Sequence, residues 1–124
     1  MTRPGGVVVA ATISRFASLL DGYAKGFHDD PEFGPVVDRA LTTGEHRPPG
    51  GRWFTEAYFH RPDELPAEVA DAGLRLDRIV SVEGPLWMVD EVRRDPAHLH
   101  WLRRVEEEPS LLGASQHLLT VARA

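Results

Sequence analysis

The amino-acid sequence predicts an α/β fold, and three observations support that prediction. Residues 7–13 are apolar at every position and follow a turn of Pro4, Gly5 and Gly6, which indicates a strand covered on both faces. Apolar residues with helical spacing come next, and two further strand patterns lie later in the chain. The order strand, helices, strand, helix, strand is typical of an α/β protein, and 124 residues suit a single domain.

The first strand, residues 7–13, is expected to lie inside a parallel sheet because both of its faces are apolar. A central parallel strand needs neighbours at both edges and crossover connections that reach them. The six residues before it are too few to supply such a neighbour. The sequence therefore reads as beginning in the middle of a fold, with an unpaired edge along this strand.

Two helices are predicted after the first strand. Ser14 is expected to cap the first, which ends near Gly26. Asp30 and Pro31 start the second, because proline suits the first turn of a helix, and Gly44 closes it. The apolar positions are Phe16, Leu19, Leu20, Tyr23 and Phe27 in the first helix, and Phe33, Val36, Val37 and Leu41 in the second.

Residues 45–53 are predicted to be a mobile loop, because two prolines and two glycines follow one another within it. Residues 54–59 then suit a short extended segment. Asp63 is expected to cap the next helix, with Pro66 in its first turn and Gly73 at a left-handed end.

The remaining residues predict a strand, a helix and a final strand. Residues 74–82 alternate, which places Leu74, Leu76, Val80 and Val82 on one side. For residues 86–94 the pattern leaves one or two helical turns open. Asp95 and Pro96 open the helix, and residues 116–123 form the last strand.

Composition excludes several classes of protein. The net charge of −5 argues against non-specific binding of nucleic acid, which needs a basic surface. Cysteine is absent, which suits the cytoplasm, and the apolar run at residues 7–13 is too short to cross a membrane. The sequence holds no Gly-rich phosphate loop and no Gly-x-Ser-x-Gly motif. The histidines lack the spacing of metal ligands, so no metal site is expected.

Candidate functional residues lie near strand ends and beside the loop. Arg15 and Phe16 directly follow the first strand, where ligands bind in open α/β sheets, and Glu83 follows the second. The alternative for these positions is helix capping and surface charge. His46, Tyr58 and His60 flank the loop among arginines and aromatics, where a histidine acts as a general base near neutral pH. The alternative there is a solvated loop.

Three segments, taken in order, carry a resemblance to a known family. They are residues 3–10, Arg-Pro-Gly-Gly-Val-Val-Val-Ala; residues 58–74, which open with Tyr-Phe-His-Arg-Pro-Asp-Glu-Leu and close with Ala-Gly-Leu; and residues 108–119, Glu-Pro-Ser-Leu-Leu-Gly-Ala-Ser-Gln-His-Leu-Leu. They resemble the turn into the fifth strand, the loop and helix before the sixth strand, and the close of class I S-adenosylmethionine-dependent methyltransferases of a bacterial small-molecule branch.

The resemblance implies a partial Rossmann-like sheet made of the equivalents of strands five, six and seven, with the seventh antiparallel between the other two. It divides one partial domain into a first strand (residues 1–14), a helical lid insertion on the substrate side (15–60) and a helix–strand–helix–strand part (61–124). It also implies that Arg15, Phe16, His46, Tyr58 and His60 line the substrate pocket. No residue matches an established catalytic motif.

The resemblance names S-adenosylmethionine as the cofactor, but the family's Gly-rich loop and acidic ribose ligand would precede residue 1. The first hypothesis is therefore the C-terminal, substrate-side part of a small-molecule methyltransferase, inactive alone, which a cofactor-binding half completes along Val7–Ile13. The second is a stand-alone α/β ligand-binding or interaction protein that forms a homodimer through the same strand edge. Neither reading involves nucleic acid or a membrane.

Overall fold

The computed structural model describes residues 2–89 and 95–124 and shows a mixed α/β fold. In chain order its elements are β1 (Val7–Ile13), α1 (Ala17–Lys25), α2 (Phe33–Thr43), β2 (Glu45–His46), β3 (Ala57–Tyr58), α3 (Leu65–Asp71), β4 (Arg75–Ser81), α4 (His98–Val105) and β5 (His117–Arg123). Short 3-10 turns lie at Phe27–Asp29, Pro49–Gly51 and Leu112–Ala114. The predicted α/β class is confirmed. Of the segment 86–94, residues 90–94 lie outside the described residues.

The main sheet has the order β1–β5–β4, and β5 is antiparallel to both neighbours. Val7 pairs with Arg123 at one end of β1, and Ile13 pairs with His117 at the other. β1 and β4 therefore run parallel to each other on either side of the last strand. A second, two-stranded sheet joins β2 to β3.

The two faces of the main sheet differ in burial. One face carries Leu118, Thr120 and Ala122 of β5, all nearly or fully buried. Leu118 packs there with Leu65 and Leu112, and this cluster is the centre of the core. We call the opposite face the open face. The register between β1 and β5 places five side chains next to one another on it: Val7, Val9, Ala11, Leu119 and Val121.

The position of β1 differs from the expected one. β1 lies at an edge of the sheet, and Val7 and Val9 on the open face are 54% and 57% exposed. The prediction of a central strand in a parallel sheet, covered on both faces, is therefore wrong: β5 occupies the central position and pairs antiparallel with β1, and Val7 and Val9 on the open face stay more than half exposed. Within residues 2–89 and 95–124, the ladder of β1 has β5 as its one strand partner, but the amide of His60 donates to the carbonyl of Ile13 at 2.8 Å on the other edge, so the expected unpaired edge extends only from Val7 to Thr12.

The glycine stops of the helices are confirmed, whereas the predicted caps are wrong. Gly26 and Gly44 adopt φ values of 73° and 84° and end α1 and α2. Ser14 does not cap α1: it is buried, and its hydroxyl donates to the carbonyl of Gly113 at 2.9 Å. Phe16 takes the N-cap position of α1, and Glu64, not Asp63, takes that of α3.

A β-bulge changes the pattern of β4. The register shifts between Leu76 and Arg78, so the alternation predicted for residues 74–82 fails beyond this point. Ile79 consequently faces the core beside Leu118, and Val80 is on the other side of the strand. The sequence alone gives no sign of this extra residue.

The segment 45–53 is more ordered than its composition suggests. β2 and β3 form a short hairpin across it, and a 3-10 turn fills Pro49–Gly51. His46 is 1% exposed. Hydrogen bonds and aromatic contacts hold both of its ends, and the predicted mobility of the segment stays a prediction.

Substituting Gly44 by alanine is expected to destabilise the fold strongly. The Cβ would lie 2.5 Å from the ring of Tyr58 and 2.8 Å from a guanidinium nitrogen of Arg15, at a residue whose φ is 84°. Gly50 is a matched control, because its φ is 59° and its Cβ would meet open space. We expect Gly44→Ala to cost about 1–3 kcal/mol more than Gly50→Ala. Urea unfolding of both variants measures the difference, and equal losses would contradict this packing.

Candidate functional site

A cavity of about 290 Å³ lies at the carboxyl end of β1. Elements that are distant in sequence form its wall: the end of β1, α1, the start of α2, the 45–59 segment and the start of β5. The lining residues are Ile13, Ala17, Ser18, Asp21, Lys25, Phe27, Phe33, His46, Trp53, Phe54, Phe59, Gln116 and His117. Its size suits a small molecule, and its place at a strand's carboxyl end is the usual ligand position in α/β sheets.

Aromatic rings make up much of the wall. Phe33 contacts Phe27 and Trp53 edge to face, with ring centroids 5.7 and 5.1 Å apart. Phe59 stacks on the imidazole of His46 at 4.7 Å with an interplanar angle of 6°. A wall of this kind offers both flat and edge contacts to a planar ligand.

His46 is held neutral in one tautomer at the back of the cavity. Its Nε2 lies 3.0 Å from the carbonyl oxygen of Trp53, which accepts only, so Nε2 carries the proton. Nδ1 then accepts from the Ser18 hydroxyl at 2.7 Å. Burial lowers the pKa of His46 and outweighs the opposing effect of the bond to Trp53. Both ring nitrogens are thus occupied by protein groups.

The backbone of the cavity wall is strained next to His46. Trp53 and Phe54 have φ values of 57° and 101°, a region that non-glycine residues rarely adopt. Arg52 anchors this turn through ion pairs with Asp30 and Glu32, and its guanidinium lies 4.1 Å from the Trp53 ring centroid. Such strain persists where surrounding contacts fix the conformation and is common at ligand sites.

The mouth of the cavity is polar. Asp21 accepts hydrogen bonds from Lys25 at 2.8 Å and from the side-chain amide of Gln116 at 3.1 Å. His117 lies beside Gln116 at the start of β5 and also lines the cavity. The site therefore combines an aromatic wall with ionisable groups at its mouth.

A carboxylate orients His117. Glu83 Oε1 is 2.6 Å from Nδ1 of His117, and Glu83 Oε2 accepts from the backbone N–H of His117 at 2.9 Å and the Ser115 hydroxyl at 2.8 Å. Burial raises the pKa of Glu83, but the bonds from His117 and Ser115 outweigh it and the pKa is lowered overall. Glu83 is therefore an ionised partner that fixes the proton of His117 on Nδ1.

Of the residues proposed from sequence, His46 lines the cavity and the other four lie outside its wall. Arg15 is 4% exposed and bound to protein: it donates to the carbonyl of Phe59 at 2.7 Å, to Tyr58 at 3.0 Å and to Glu64 at 2.7 Å. Its guanidinium joins β1, β3 and α3.

Phe16, Tyr58 and His60 also have structural contacts. Phe16 packs so closely on Gly113 that a Cβ there would lie 2.9 Å from its ring. Tyr58 is 46% exposed and contacts His60 edge to face at 4.8 Å. His60 lies 3.3 Å from Glu68, and its backbone bridges to Ser14. The structure gathers these residues with Arg15 into one cluster beside the cavity.

Sequence reasoning did not single out Ser18 and His117. Ser18 lies inside α1, where nothing in its neighbourhood marks it. His117 pairs with a residue 34 positions away, so the dyad has no local motif. The one signal of this dyad in the sequence is the position of Glu83 just after a predicted strand.

Comparison of the chain with protein-family models gave no match, and comparison with curated proteins gave none either. Among the described residues, no group of histidine and carboxylate side chains is arranged to hold a metal ion. No helix in the same residues has both the length and the apolar content needed to span a membrane.

The pH dependence of stability tests the environment of His46. Its pKa is lowered below the ordinary value of 6.5 in the folded chain, so the unfolded chain binds a proton first as the pH falls. The neutral form of His46 stabilises the fold at pH values above 6.5, and this stabilisation is lost as the pH drops toward the pKa of His46 in the folded chain. We expect the free energy of unfolding of His46→Gln to fall less over this range than that of the wild type, and that of His100→Gln, an exposed control, to fall equally. Identical profiles for His46→Gln and the wild type would contradict the assignment.

Proposed function

We propose that this chain is the substrate-side, C-terminal part of a class I S-adenosylmethionine-dependent methyltransferase that acts on a small molecule. The observation that carries the proposal is the order β1–β5–β4, in which the last strand runs antiparallel between two parallel ones. The resemblance implies this arrangement for the equivalents of strands five, seven and six. In this assignment β1, β4 and β5 correspond to the fifth, sixth and seventh strands.

The location of the cavity supports the proposal. It lies beyond the carboxyl end of β1, and α1 and α2 of the 15–60 segment form one side of it. In this assignment the 15–60 segment is the lid insertion, and the cavity receives the methyl acceptor. Positioning a substrate contributes much of the rate in group-transfer reactions, which agrees with the lack of a diagnostic motif.

The described residues do not fit S-adenosylmethionine by themselves. The polar side chains that follow β1 are already used, because Ser14 donates to Gly113 and Arg15 pairs with Glu64. The sequence has no Gly-rich loop between a strand and a helix that would bind the cofactor. In this assignment the methyl donor is held by a cofactor-binding half outside residues 1–124.

The open face and the free edge of β1 are where such a half would join. Val7 and Val9 are more than half exposed, and they adjoin Val121 and Leu119 across the pair β1–β5. When such a protein has no partner, an apolar sheet face next to an unpaired edge promotes association or aggregation. Helices and a fourth-strand equivalent from the cofactor-binding half would cover both.

The second candidate function is a stand-alone ligand-binding protein that dimerises through the same edge. The aromatic cavity favours it, because described residues of this chain alone form its wall. It differs from the first candidate in its oligomeric state: it requires a cooperative homodimer, whereas the methyltransferase part requires an unlike partner.

Calorimetry distinguishes the two candidates. The chain is titrated with S-adenosylmethionine alone and again as a fusion in which a class I cofactor-binding half precedes Gly6. We expect no micromolar binding by the chain and micromolar binding by the fusion, with methyl transfer to a small molecule. Micromolar binding by the chain alone would overturn the proposal. If the chain forms a stable homodimer and the fusion forms the same homodimer, the second candidate is favoured.

A further inference from the structure

We propose that the cavity binds a phenol-like aromatic hydroxyl and that His117, oriented by Glu83, accepts its proton. The binding part of this inference stands on the cavity alone, whereas the use of the resulting phenolate as a methyl acceptor rests on the proposed function. Glu83 is a positioning residue here, and His117 is the group that touches the ligand.

The orientation of His117 is the first step of the argument. Glu83 Oε1 holds Nδ1 at 2.6 Å and Oε2 holds the backbone amide of the same residue at 2.9 Å, so both ends of His117 are fixed by one carboxylate. With the proton on Nδ1, Nε2 is the basic nitrogen. Within residues 2–89 and 95–124 no protein group bonds to Nε2, and the side chain is 47% exposed at the cavity mouth.

The difference between the two cavity histidines is the second step. His46 uses Nδ1 for Ser18 and Nε2 for the Trp53 carbonyl, which leaves no nitrogen for a ligand. His117 has one nitrogen bound by a carboxylate and the other directed away from it. A base that is oriented by a second group in this way is the usual arrangement for proton abstraction.

The wall of the cavity defines the ligand class. Five aromatic side chains line it together with Gln116 and His117, and the side chain of His117 is 47% exposed: Phe27, Phe33, Trp53, Phe54 and Phe59. A flat ring against the aromatic side chains would place a ring substituent toward the polar end. A hydroxyl suits this end because Nε2 accepts its hydrogen.

The proton transfer is balanced within the site. The O–H bond of the ligand breaks as the N–H bond forms at Nε2, and the products are a phenolate and an imidazolium. Glu83 lies against the imidazolium and stabilises its charge. The other ionisable groups around the cavity are Asp21 and Lys25 on α1, which pair with each other at 2.8 Å, and the neutral His46 on β2.

Absorbance titration with 4-nitrophenol tests the inference, because its phenolate absorbs visible light and its phenol does not. At a pH just below the solution pKa of the ligand, we expect binding to the wild-type chain to raise the phenolate fraction. We expect the chain to bind the phenolate about 10-fold more tightly than the phenol, which corresponds to lowering the pKa of the bound ligand by about one unit. His117→Gln should abolish this preference, Glu83→Gln should weaken it, and the exposed control His100→Gln should retain it.

NMR of the wild-type chain provides a readout that needs no variant. Nitrogen shifts of His117 should show Nε2 unprotonated without ligand and protonated in the complex, while those of His46 keep the neutral form. Three results would each overturn the inference. The bound ligand stays a neutral phenol, the folded His117→Gln variant gives the same phenolate fraction as the wild type, or no binding is detected. If His117 ionises the phenol but the fusion with a cofactor-binding half transfers no methyl group, the proposed function alone fails.

Discussion

Replacing Glu64 by glutamine is expected to lower the free energy of unfolding by about 3 kcal/mol, because it removes the counter-charge of a buried cation. The Arg15 side chain is 5% exposed, and its guanidinium lies 2.7 Å from Glu64. The shape of the side chain is kept, but its charge is lost together with one of the two oxygens that accept from Arg15, Tyr58 and the amide of Arg61. The side chain of Glu64 is 30% exposed, so the loss comes mainly from Arg15, whose charge would stay out of water without its partner.

Asp63→Asn is the matched control for Glu64→Gln. It makes the same chemical change at the neighbouring residue, whose pair with Arg61 is exposed on both sides. An exposed pair contributes about 0–1 kcal/mol, so this variant should unfold almost like the wild type. Chemical denaturation of the three proteins measures both effects. If Glu64→Gln is as stable as the wild type but no longer binds ligand, the structural role of Arg15 is contradicted. Arg15 would then belong to the substrate site.

The second large effect concerns the open face of β1. Val9→Lys places a charge on a side chain that is 57% exposed, so the isolated chain should keep its stability within about 0.5 kcal/mol. A lysine buried without a partner opposes association, and we expect the affinity for a separately expressed cofactor-binding half to fall about 100-fold or more. Sedimentation or calorimetry of the mixture measures the change.

Thr42→Lys is the control for Val9→Lys, because it adds the same charge at an exposed position of α2, away from the sheet. It should leave association unchanged. Equal affinities of the Val9→Lys and wild-type chains would show that the open face is not the joining surface. If the wild-type chain forms a cooperative homodimer that Val9→Lys disrupts, the stand-alone reading is favoured.

Local signals in the sequence were sufficient for the ends of the helices but not for their caps. Gly26, Gly44 and Gly73 adopt the left-handed conformation where the pattern predicts a stop, and Pro66 lies in the first turn of α3. These features depend on one or two residues and on backbone sterics, so they are legible without tertiary structure.

The errors arise where a distant part of the chain decides the outcome. β1 looks like a central strand by its apolar run, but β5 takes the central position, and Val9 is exposed on the open face of the sheet. The bulge after Leu76 is a property of the pairing between β4 and β5, and it reverses which residues face the core.

The site was predictable only in part for the same reason. His46 was found because it lies near aromatics and arginines in sequence, although its burial contradicts the composition of its loop. Arg15 follows a strand, as a ligand residue often does, but Glu64 and the Phe59 carbonyl occupy its guanidinium. His117 and Glu83 meet because β4 and β5 pair, and no short motif encodes that meeting.

Hydrogen exchange along β1 tests the central claim most directly. In the antiparallel pair with β5, the bonds at Gly6 and Ser14 indicate that the amides of Val7, Val9 and Ala11 point to the free edge. We expect these amides to exchange fast in the isolated chain and to become protected when a cofactor-binding half precedes Gly6, while those of Val8 and Ala10 are protected in both. Unchanged fast exchange at the three edge amides in a folded fusion would contradict the assignment of β1 as the strand that joins the two halves.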